Sequence, residues 1–190
     1  MDPILIGYFA NTKRMADSRW IKNPAVIEFS NATEHGPAIL EGGQEVEQVD
    51  WINEWKHNDM WVFDAPELAW SVVPVRLRPH YCLYAYRMLP VQYGQGEAVP
   101  YAFPKIDPVP MGAGFEFLGW DVVSRYCDNV LECSPLLCNG VADKFSVNPY
   151  CLLESMAMAI QCAKEFFIDG AEPGPYAVIE VWREKPAVRV

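Results

Sequence analysis

The stretch VRLRPHYCLYAYRML, residues 75–89, is the longest run of strand-forming sequence in the chain, and it decides how we interpret the rest. Successive side chains of a strand point to opposite faces, so Tyr81 and Leu83 would share one face and Tyr84 and Tyr86 the other. Both faces are mostly apolar or aromatic, which is typical of a strand that is covered on both sides. The stretch therefore predicts a central strand.

Shorter strand-type segments surround this one. We expect them at residues 3–9, 25–29, 60–63, 115–124 and 176–182, with a loop over 31–43 and one helical turn over 66–70. No internal repeat is recognisable along the chain.

Two main helices are predicted. Over residues 149–168, apolar side chains recur at helical spacing, Asn148 suits the N-cap, Pro149 the first helical position and Gly170 the C-terminal stop. The second helix is predicted over residues 45–56, where apolar and acidic side chains collect on different sides.

These elements predict an α+β fold with a mixed or mainly antiparallel sheet covered by the two helices. Residues 90–114 hold five prolines and four glycines, which predicts a long loop. The length of 190 residues and an apolar fraction of 51% predict a single globular domain over residues 1–190.

The N-terminal apolar run is too short for a secretory signal, and no stretch approaches the roughly 18 apolar residues of a membrane helix. We therefore expect a cytoplasmic protein without a membrane partner. The six cysteines are expected to be reduced thiols, since disulfide frameworks are typical of short secreted chains.

No catalytic, metal-binding or cofactor-binding motif is recognisable, so we predict no catalytic residue, metal or cofactor. Cys133 and Cys138 have the closest spacing to a metal pair but lack a nearby histidine. Glu116 and Asp121 are five residues apart, so on one regular strand they would point to opposite faces, which speaks against a carboxylate pair.

Charge is the unusual feature of this sequence. The net charge is -10, and residues 28–67 contain ten acids and only one base, Lys56, which gives -9 over forty residues. Such a surface repels nucleic-acid phosphates and attracts basic protein surfaces, which argues against direct nucleic-acid binding.

The charge pattern favours a small acidic protein-binding module, such as an inhibitor, an immunity-type protein or a subunit that covers a basic surface on a protein partner. The predicted partner-binding residues are Glu47, Asp50, Trp51 and Glu54, because acids steer association and tryptophan supplies a buried anchor. Two alternatives stay open. One is a structural or assembly protein of a phage or multi-subunit complex that associates with itself or with neighbours. The other is an enzyme of unrecognised type with a cysteine nucleophile near the loop from Cys133 to Cys138.

Overall fold

The computed structural model describes residues 2–16, 21–32, 38–41, 44–48, 57–94, 97–125, 131–138, 141–165 and 173–186. The described strands are β1 Ile4–Thr12, β2 Arg14–Met15, β3 Glu28–Phe29, β4 Ala38–Glu41, β5 Gln44–Gln48, β6 Tyr81–Gly94, β7 Glu97–Pro100, β8 Phe115–Ser124 and β9 Tyr176–Glu184. The α-helices are α1 Pro66–Ser71, α2 Pro135–Cys138 and α3 Met156–Glu165, and Val75–His80 and Val141–Asp143 form 3-10 helices.

The main sheet is antiparallel, with the strand order β1-β6-β9-β8, and β7 pairs with the end of β6. Strands β2 and β3 form a separate pair, as do β4 and β5. The structure therefore confirms an α+β fold with a mainly antiparallel sheet. It also confirms that the segment around residue 85 is central, because β6 pairs with three strands and Leu83, Tyr84, Ala85 and Tyr86 are all buried.

The main sheet consists of two halves that repeat the same backbone arrangement. The N-terminal half contains β1, α1 and β6, and the C-terminal half contains β8, α3 and β9. Gly7, Tyr86, Val181 and Gly119 stand side by side across the four strands. An approximate two-fold axis through the Tyr86–Val181 pair therefore exchanges β1 with β8 and β6 with β9.

Each half also has the same asparagine turn, the Asn58 turn (residues 58–62) and the Asn148 turn (residues 148–152). In the first, the backbone N–H of Asn58 donates to Val62 O at 2.7 Å and that of Trp61 to Asn58 O at 2.9 Å. In the second, the backbone N–H of Asn148 donates to Leu152 O at 2.8 Å and that of Cys151 to Asn148 O at 3.0 Å.

Both asparagine side chains tie their turn to the first strand of the half. Asn58 Nδ2 donates to Ile6 O at 2.9 Å, and Asn148 Nδ2 donates to Leu118 O at 2.7 Å. The residue after each turn then pairs with that strand, Phe63 with Tyr8 and Leu153 with Trp120. The helix of each half begins three residues later.

A glycine allows this close approach in each half. The backbone has a φ of 145° at Gly7 and 150° at Gly119, and both lie at irregularities in the strand register. A Cβ at Gly7 would lie 2.7 Å from Phe63 O, and one at Gly119 would lie 2.8 Å from Leu152 Cβ. Any other residue would therefore clash with the turn and strain the backbone.

The structure thus contains a repeat that the sequence does not show. Gly7 and Asn58 are 51 residues apart, whereas Gly119 and Asn148 are 29 apart, so the halves share no fixed period. The sequence features that the two halves share are a glycine between an apolar and an aromatic residue, and an asparagine four residues before an apolar residue.

The helix predicted over residues 45–56 is wrong where the structure describes it, because Gln44–Gln48 is strand β5. This strand pairs with β4, with Glu47 opposite Ile39 and Glu41 opposite Gln44. Gly42 and Gly43 separate the two strands in sequence, and a Gly-Gly pair is a hairpin signal that competes with helical spacing. Residues 49–56 lie outside the described residues.

The helix predicted over residues 149–168 begins later, at Met156. Asn148 does not cap it, because the Asn148 carboxamide closes the turn instead. Ser155 takes the cap position, and its Oγ accepts a hydrogen bond from Met158 N at 3.3 Å. The predicted stop at Gly170 lies outside the described residues. None of the described helices is long and apolar enough to cross a membrane.

The predicted loop over residues 90–114 is shorter than expected. β6 continues through Pro90 to Gly94, and Glu97–Pro100 pairs back onto it as β7. Pro90 has no N–H to donate, and the β6–β9 register is irregular between Met88 and Gln92, where this proline lies. Within the expected loop region at 31–43, Ala38–Glu41 likewise forms a strand, β4.

Candidate functional site

One of the four predicted partner-binding residues, Glu47, lies in the part of the chain that the structure describes. Glu47 lies on β5, in the register position opposite Ile39. Asp50, Trp51 and Glu54 lie outside the described residues. Their role stays a prediction.

Aromatic and acidic side chains lie on the Asn58 turn and next to it, within residues 57–67. Trp61 is half-buried and adopts a φ of 60°, and its ring stacks on His57 with centroids 4.8 Å apart and an interplanar angle of 10°. Asp59 in the turn and Glu67 on α1 are exposed. Asn58 Nδ2 donates to Asp64 Oδ1 at 2.7 Å, which ties the turn to the start of α1.

A second group of polar side chains, buried or partly buried, lies in the C-terminal half of the sheet, where segment 28–32 packs against it. We call it the polar cluster and define it as Glu28, Ser30, Asn31, Glu116, Asp121, Ser134 and Arg183. Segment 28–32 is fixed to the Asn148 turn by backbone hydrogen bonds from Glu28 to Pro149 O at 3.0 Å and from Ser30 to Tyr150 O at 3.2 Å.

Asp121 is the deepest member of the polar cluster and is fully buried. Its Oδ1 accepts hydrogen bonds from Ser134 Oγ at 2.6 Å, Val122 N at 2.8 Å and Asn31 Nδ2 at 3.2 Å. Its Oδ2 accepts from Ala32 N at 2.7 Å. Burial raises the pKa of the Asp121 carboxyl from 3.8 to about 6, although these hydrogen bonds lower it.

The charged part of the polar cluster is organised by Arg183. Its Nη1 donates to Glu28 Oε1 and its Nη2 to Glu116 Oε1, each at 2.9 Å. The guanidinium carbon lies 5.0 Å from the ring centroid of Tyr150. Burial lowers the pKa of Arg183, but the hydrogen bond to Glu116 and the charge of Glu28 outweigh it and raise that pKa above its ordinary value.

Glu116 and Asp121 stand on the same face of the sheet, so the expectation that they point to opposite faces is wrong. Glu116 is opposite Arg183 and Asp121 is opposite Ile179, four residues apart on β9. The register irregularity between Phe117 and Gly119 inserts one residue and restores the shared face. Their carboxylates nonetheless have different partners, so they do not form one acid–base pair.

The polar cluster can hold chain segments together, because most of its charged and hydrogen-bonding groups satisfy one another. Asp121 alone fastens β8 to segment 31–32 and to Ser134. The buried polar atoms of this region that have no hydrogen-bond partner within the described part of the chain include Asn31 Oδ1 and the Tyr86 hydroxyl. Burial raises the pKa of Tyr86 well above its ordinary value, with smaller contributions from Tyr84 and Asp121, so the phenol stays neutral.

The cysteines differ from the expectation of six reduced thiols. Cys133 is disulfide-bonded, whereas Cys82, Cys151 and Cys162 are free. Burial raises the pKa of Cys82 and raises the pKa of both Cys151 and Cys162 to about 12. These three thiols are therefore poor sources of a nucleophilic thiolate at neutral pH.

Within the described ranges, no group of three or more histidine, cysteine or acidic side chains is arranged to hold a metal ion. Comparison with protein-family models, with curated proteins and with solved structures finds no match to this chain.

One usable signal for the polar cluster is present in the sequence. Asp121 interrupts the apolar stretch FLGWDVV, residues 117–123, and a buried acid must be paired or hydrogen-bonded. The partners Asn31 and Ser134 carry no comparable signal, because they come from irregular segments far from Asp121 in sequence.

Proposed function

We propose that this protein is a small acidic protein-binding module that covers a basic surface on a protein partner. It would act as an inhibitor or immunity-type protein, or as a subunit of a larger complex. The observation that carries the proposal is the concentration of -9 formal charge in residues 28–67 of a chain whose net charge is -10.

The described residues of known exposure carry acids and bases at the surface in equal numbers, so support for the proposal comes from the charge of segment 28–67 and not from the described surface as a whole. Several basic side chains are engaged within the molecule, since Arg87 pairs with Glu180 at 2.9 Å and Arg183 pairs with two carboxylates. Arg78 donates to Trp70 O at 3.0 Å. Exposed acids are found on several elements, namely Asp59, Glu67, Glu97, Glu154 and Glu184.

We propose the strand pair of β4 and β5 as the described element for partner contact. It carries Glu41, Glu45 and Glu47, and it forms a two-stranded sheet that pairs with no other described strand. A charged hairpin outside the main sheet can meet a partner without rearranging the core. Its charges would raise the association rate with a basic protein.

Charge reversal with a matched control tests the proposal. The variant with Glu47→Lys, Asp50→Lys and Glu54→Lys is compared with one carrying Glu97→Lys, Glu154→Lys and Glu184→Lys, which changes the net charge equally. A basic partner is first isolated from native cell extract at low salt, and its affinity for each variant is then measured by calorimetry.

We expect the first variant to lose about tenfold or more in affinity and the control to lose much less, because charge near the interface dominates steering. Equal losses would mean that only net charge matters and would reject this site. Full binding by both variants, with unchanged salt dependence, would reject the electrostatic proposal itself.

The cytoplasmic location stays a proposal. The disulfide at Cys133 argues for an oxidising compartment, because such bonds are rare among cytosolic proteins. Labelling of free thiols in protein taken directly from its source distinguishes the two, since a cytoplasmic protein would show a reactive Cys133.

A further inference from the structure

A proline-rich segment of the chain packs on the N-terminal half of the sheet. We call it the strap and define it as residues 101–113, which contain three prolines and neither a helix nor a strand. The Tyr8 hydroxyl donates to Val109 O at 2.7 Å, and Val109 N donates to Asp64 O at 2.7 Å. The strap side chains that pack against the same core are Tyr101, Phe103, Ile106 and Met111. The strap is therefore held by its backbone as well as by its apolar side chains.

The face of the sheet on which the strap packs continues into the C-terminal half. One row of paired positions crosses all four strands and consists of Tyr8, Ala85, Trp182 and Phe117. Residues in directly paired positions of neighbouring strands lie on the same face of a sheet. Phe115, two residues before Phe117, contacts Tyr8 with ring centroids 5.8 Å apart. The far end of the row therefore adjoins the surface that the strap occupies.

Three aromatic side chains at this far end form a partly exposed group. We call it the aromatic patch and define it as Phe117, Trp120 and Trp182. The ring centroid of Phe117 lies 5.2 Å from that of Trp182 and 6.1 Å from that of Trp120. Phe117 is 42% exposed, whereas Leu5, at the equivalent position of the N-terminal half, is half-buried and packs against the core. The C-terminal half thus exposes an aromatic ring where the other half packs a smaller side chain.

The approximate two-fold axis also relates Trp120 to Tyr8, because each follows the glycine of its half and pairs with the residue after the asparagine turn. Both side chains are aromatic rings that carry a hydrogen-bond donor, a hydroxyl in Tyr8 and an indole N–H in Trp120. Tyr8, bound to the strap, is 0% exposed, and Trp120 is 8% exposed. The position that holds a strap carbonyl in one half is therefore occupied by a donor of the same kind in the other.

We propose that the aromatic patch binds an extended, proline-rich segment of a protein partner, in the way that the strap packs on the N-terminal half. Phe117 and Trp182 contact proline rings of the segment, and the Trp120 indole N–H donates to one of its carbonyls. Proline-rich segments suit aromatic surfaces because their backbone is extended before binding and loses little entropy. The aromatic patch lies outside residues 28–67, so this proposal does not depend on the acidic segment and either one can fail without the other.

A synthetic peptide with the sequence of the strap, YAFPKIDPVPM from residues 101–111, serves as the probe. It is titrated into the full-length ¹⁵N-labelled protein while the indole N–H resonances are followed. Those of Trp120 and Trp182 are assigned from their loss in Trp120→Phe and Trp182→Phe. The control peptide has its three prolines replaced by alanine, which keeps the length, the charge and the other side chains.

We expect the Trp120 and Trp182 resonances to shift with the strap peptide, and the alanine peptide to bind about threefold or more weakly, because its backbone must be ordered on binding. Phe117→Thr should weaken binding of the strap peptide by about fivefold to tenfold, as loss of an aromatic anchor predicts. Val99→Thr, which changes a side chain 47% exposed on β7, should leave it unchanged. If Phe117→Thr does not fold, Phe117→Leu replaces it.

Three other results would overturn the proposal. Unshifted Trp120 and Trp182 resonances at a peptide concentration of about 1 mM would show that the aromatic patch does not bind such a segment. Equal binding of both peptides would reject the preference for proline. Full affinity in Phe117→Thr would place binding elsewhere on the protein. The charge-reversal variants test the acidic segment separately, so none of these results decides that proposal.

Discussion

The two halves of the main sheet have the same backbone arrangement and opposite chemistry at equivalent positions. In the N-terminal half, Ile4 pairs with Met88, and in the C-terminal half the equivalent pair is Glu116 and Arg183. Phe9 follows Gly7 by two residues, and Asp121 follows Gly119 by two residues, so these two residues are also equivalent. One scaffold therefore accommodates apolar side chains in one half and charged side chains at the equivalent positions of the other.

This difference separates the residues that the backbone requires from those that it tolerates. The glycine and the asparagine recur in both halves because the turn approaches the strand too closely for a Cβ and needs an amide to bridge the two. The remaining side chains need only fill the space and satisfy their own hydrogen bonds.

The strongest test of the repeat is the pair of glycines. Gly7→Ala and Gly119→Ala should each lower the free energy of unfolding by about 2–5 kcal/mol, because each adds a clash to a backbone with positive φ. Gly112→Ala is the control, since a Cβ there meets nothing within 4 Å. Chemical denaturation measures all three, and tolerance of either glycine change would break the equivalence of the halves.

The charged pair can be converted to its apolar counterpart. Arg183→Met copies Met88 and should cost about 2–4 kcal/mol, because it leaves Glu28, with a side chain 6% exposed, without its closest cation. Adding Glu28→Gln should recover part of this loss. No recovery in the double variant would show that the cost comes from packing rather than from an unpaired charge.

Asp121 should give the C-terminal half a pH dependence that Phe9 does not give the N-terminal half. Its pKa is about 6 in the folded protein against 3.8 ordinarily, so the folded state binds this proton more tightly than the unfolded state. The free energy of unfolding should therefore fall by up to about 3 kcal/mol as the pH rises from about 4 to about 6, and then level off.

Asp121→Asn should remove this slope, and the exposed Glu154→Gln should leave it unchanged. Denaturation at a series of pH values supplies the measurement. An identical slope in Asp121→Asn would mean that other groups cause the dependence.

The smallest expected difference concerns the two asparagines. Asn58→Ala and Asn148→Ala should each cost about 1–3 kcal/mol, because each removes the hydrogen bonds that join turn and strand. Each carboxamide makes three hydrogen bonds, so the two costs should be similar. A loss at one site only would show that the turns do not have equal roles.

Much of the fold could be predicted because its signals are local. The segment Phe115–Ser124 is strand β8 as expected, Tyr176–Trp182 lies within β9, and the helical turn after Pro66 is present as α1. The helix predictions for residues 45–56 and 149–168 were less accurate, because pairing with another segment changed the structure that local spacing favoured. The single-domain expectation stays a prediction.

The polar cluster could not be predicted, because its contacts join residues that are far apart in sequence. Asn31 and Asp121 are 90 residues apart, and Glu28 and Arg183 are 155 apart. The shared face of Glu116 and Asp121 depends on a register irregularity that strict alternation does not contain.

The sequence by itself determined the α+β class, the central strand and the concentration of acid, because alternation, apolar content and charge are read residue by residue. Only the tertiary structure decided that the sheet has two equivalent halves, that Asp121 and Arg183 are satisfied inside it, and that Trp61 lies in a left-handed turn. Each of these features depends on which distant segment packs against a strand. Backbone hydrogen bonding across the sheet determines that pairing, and no single segment specifies it.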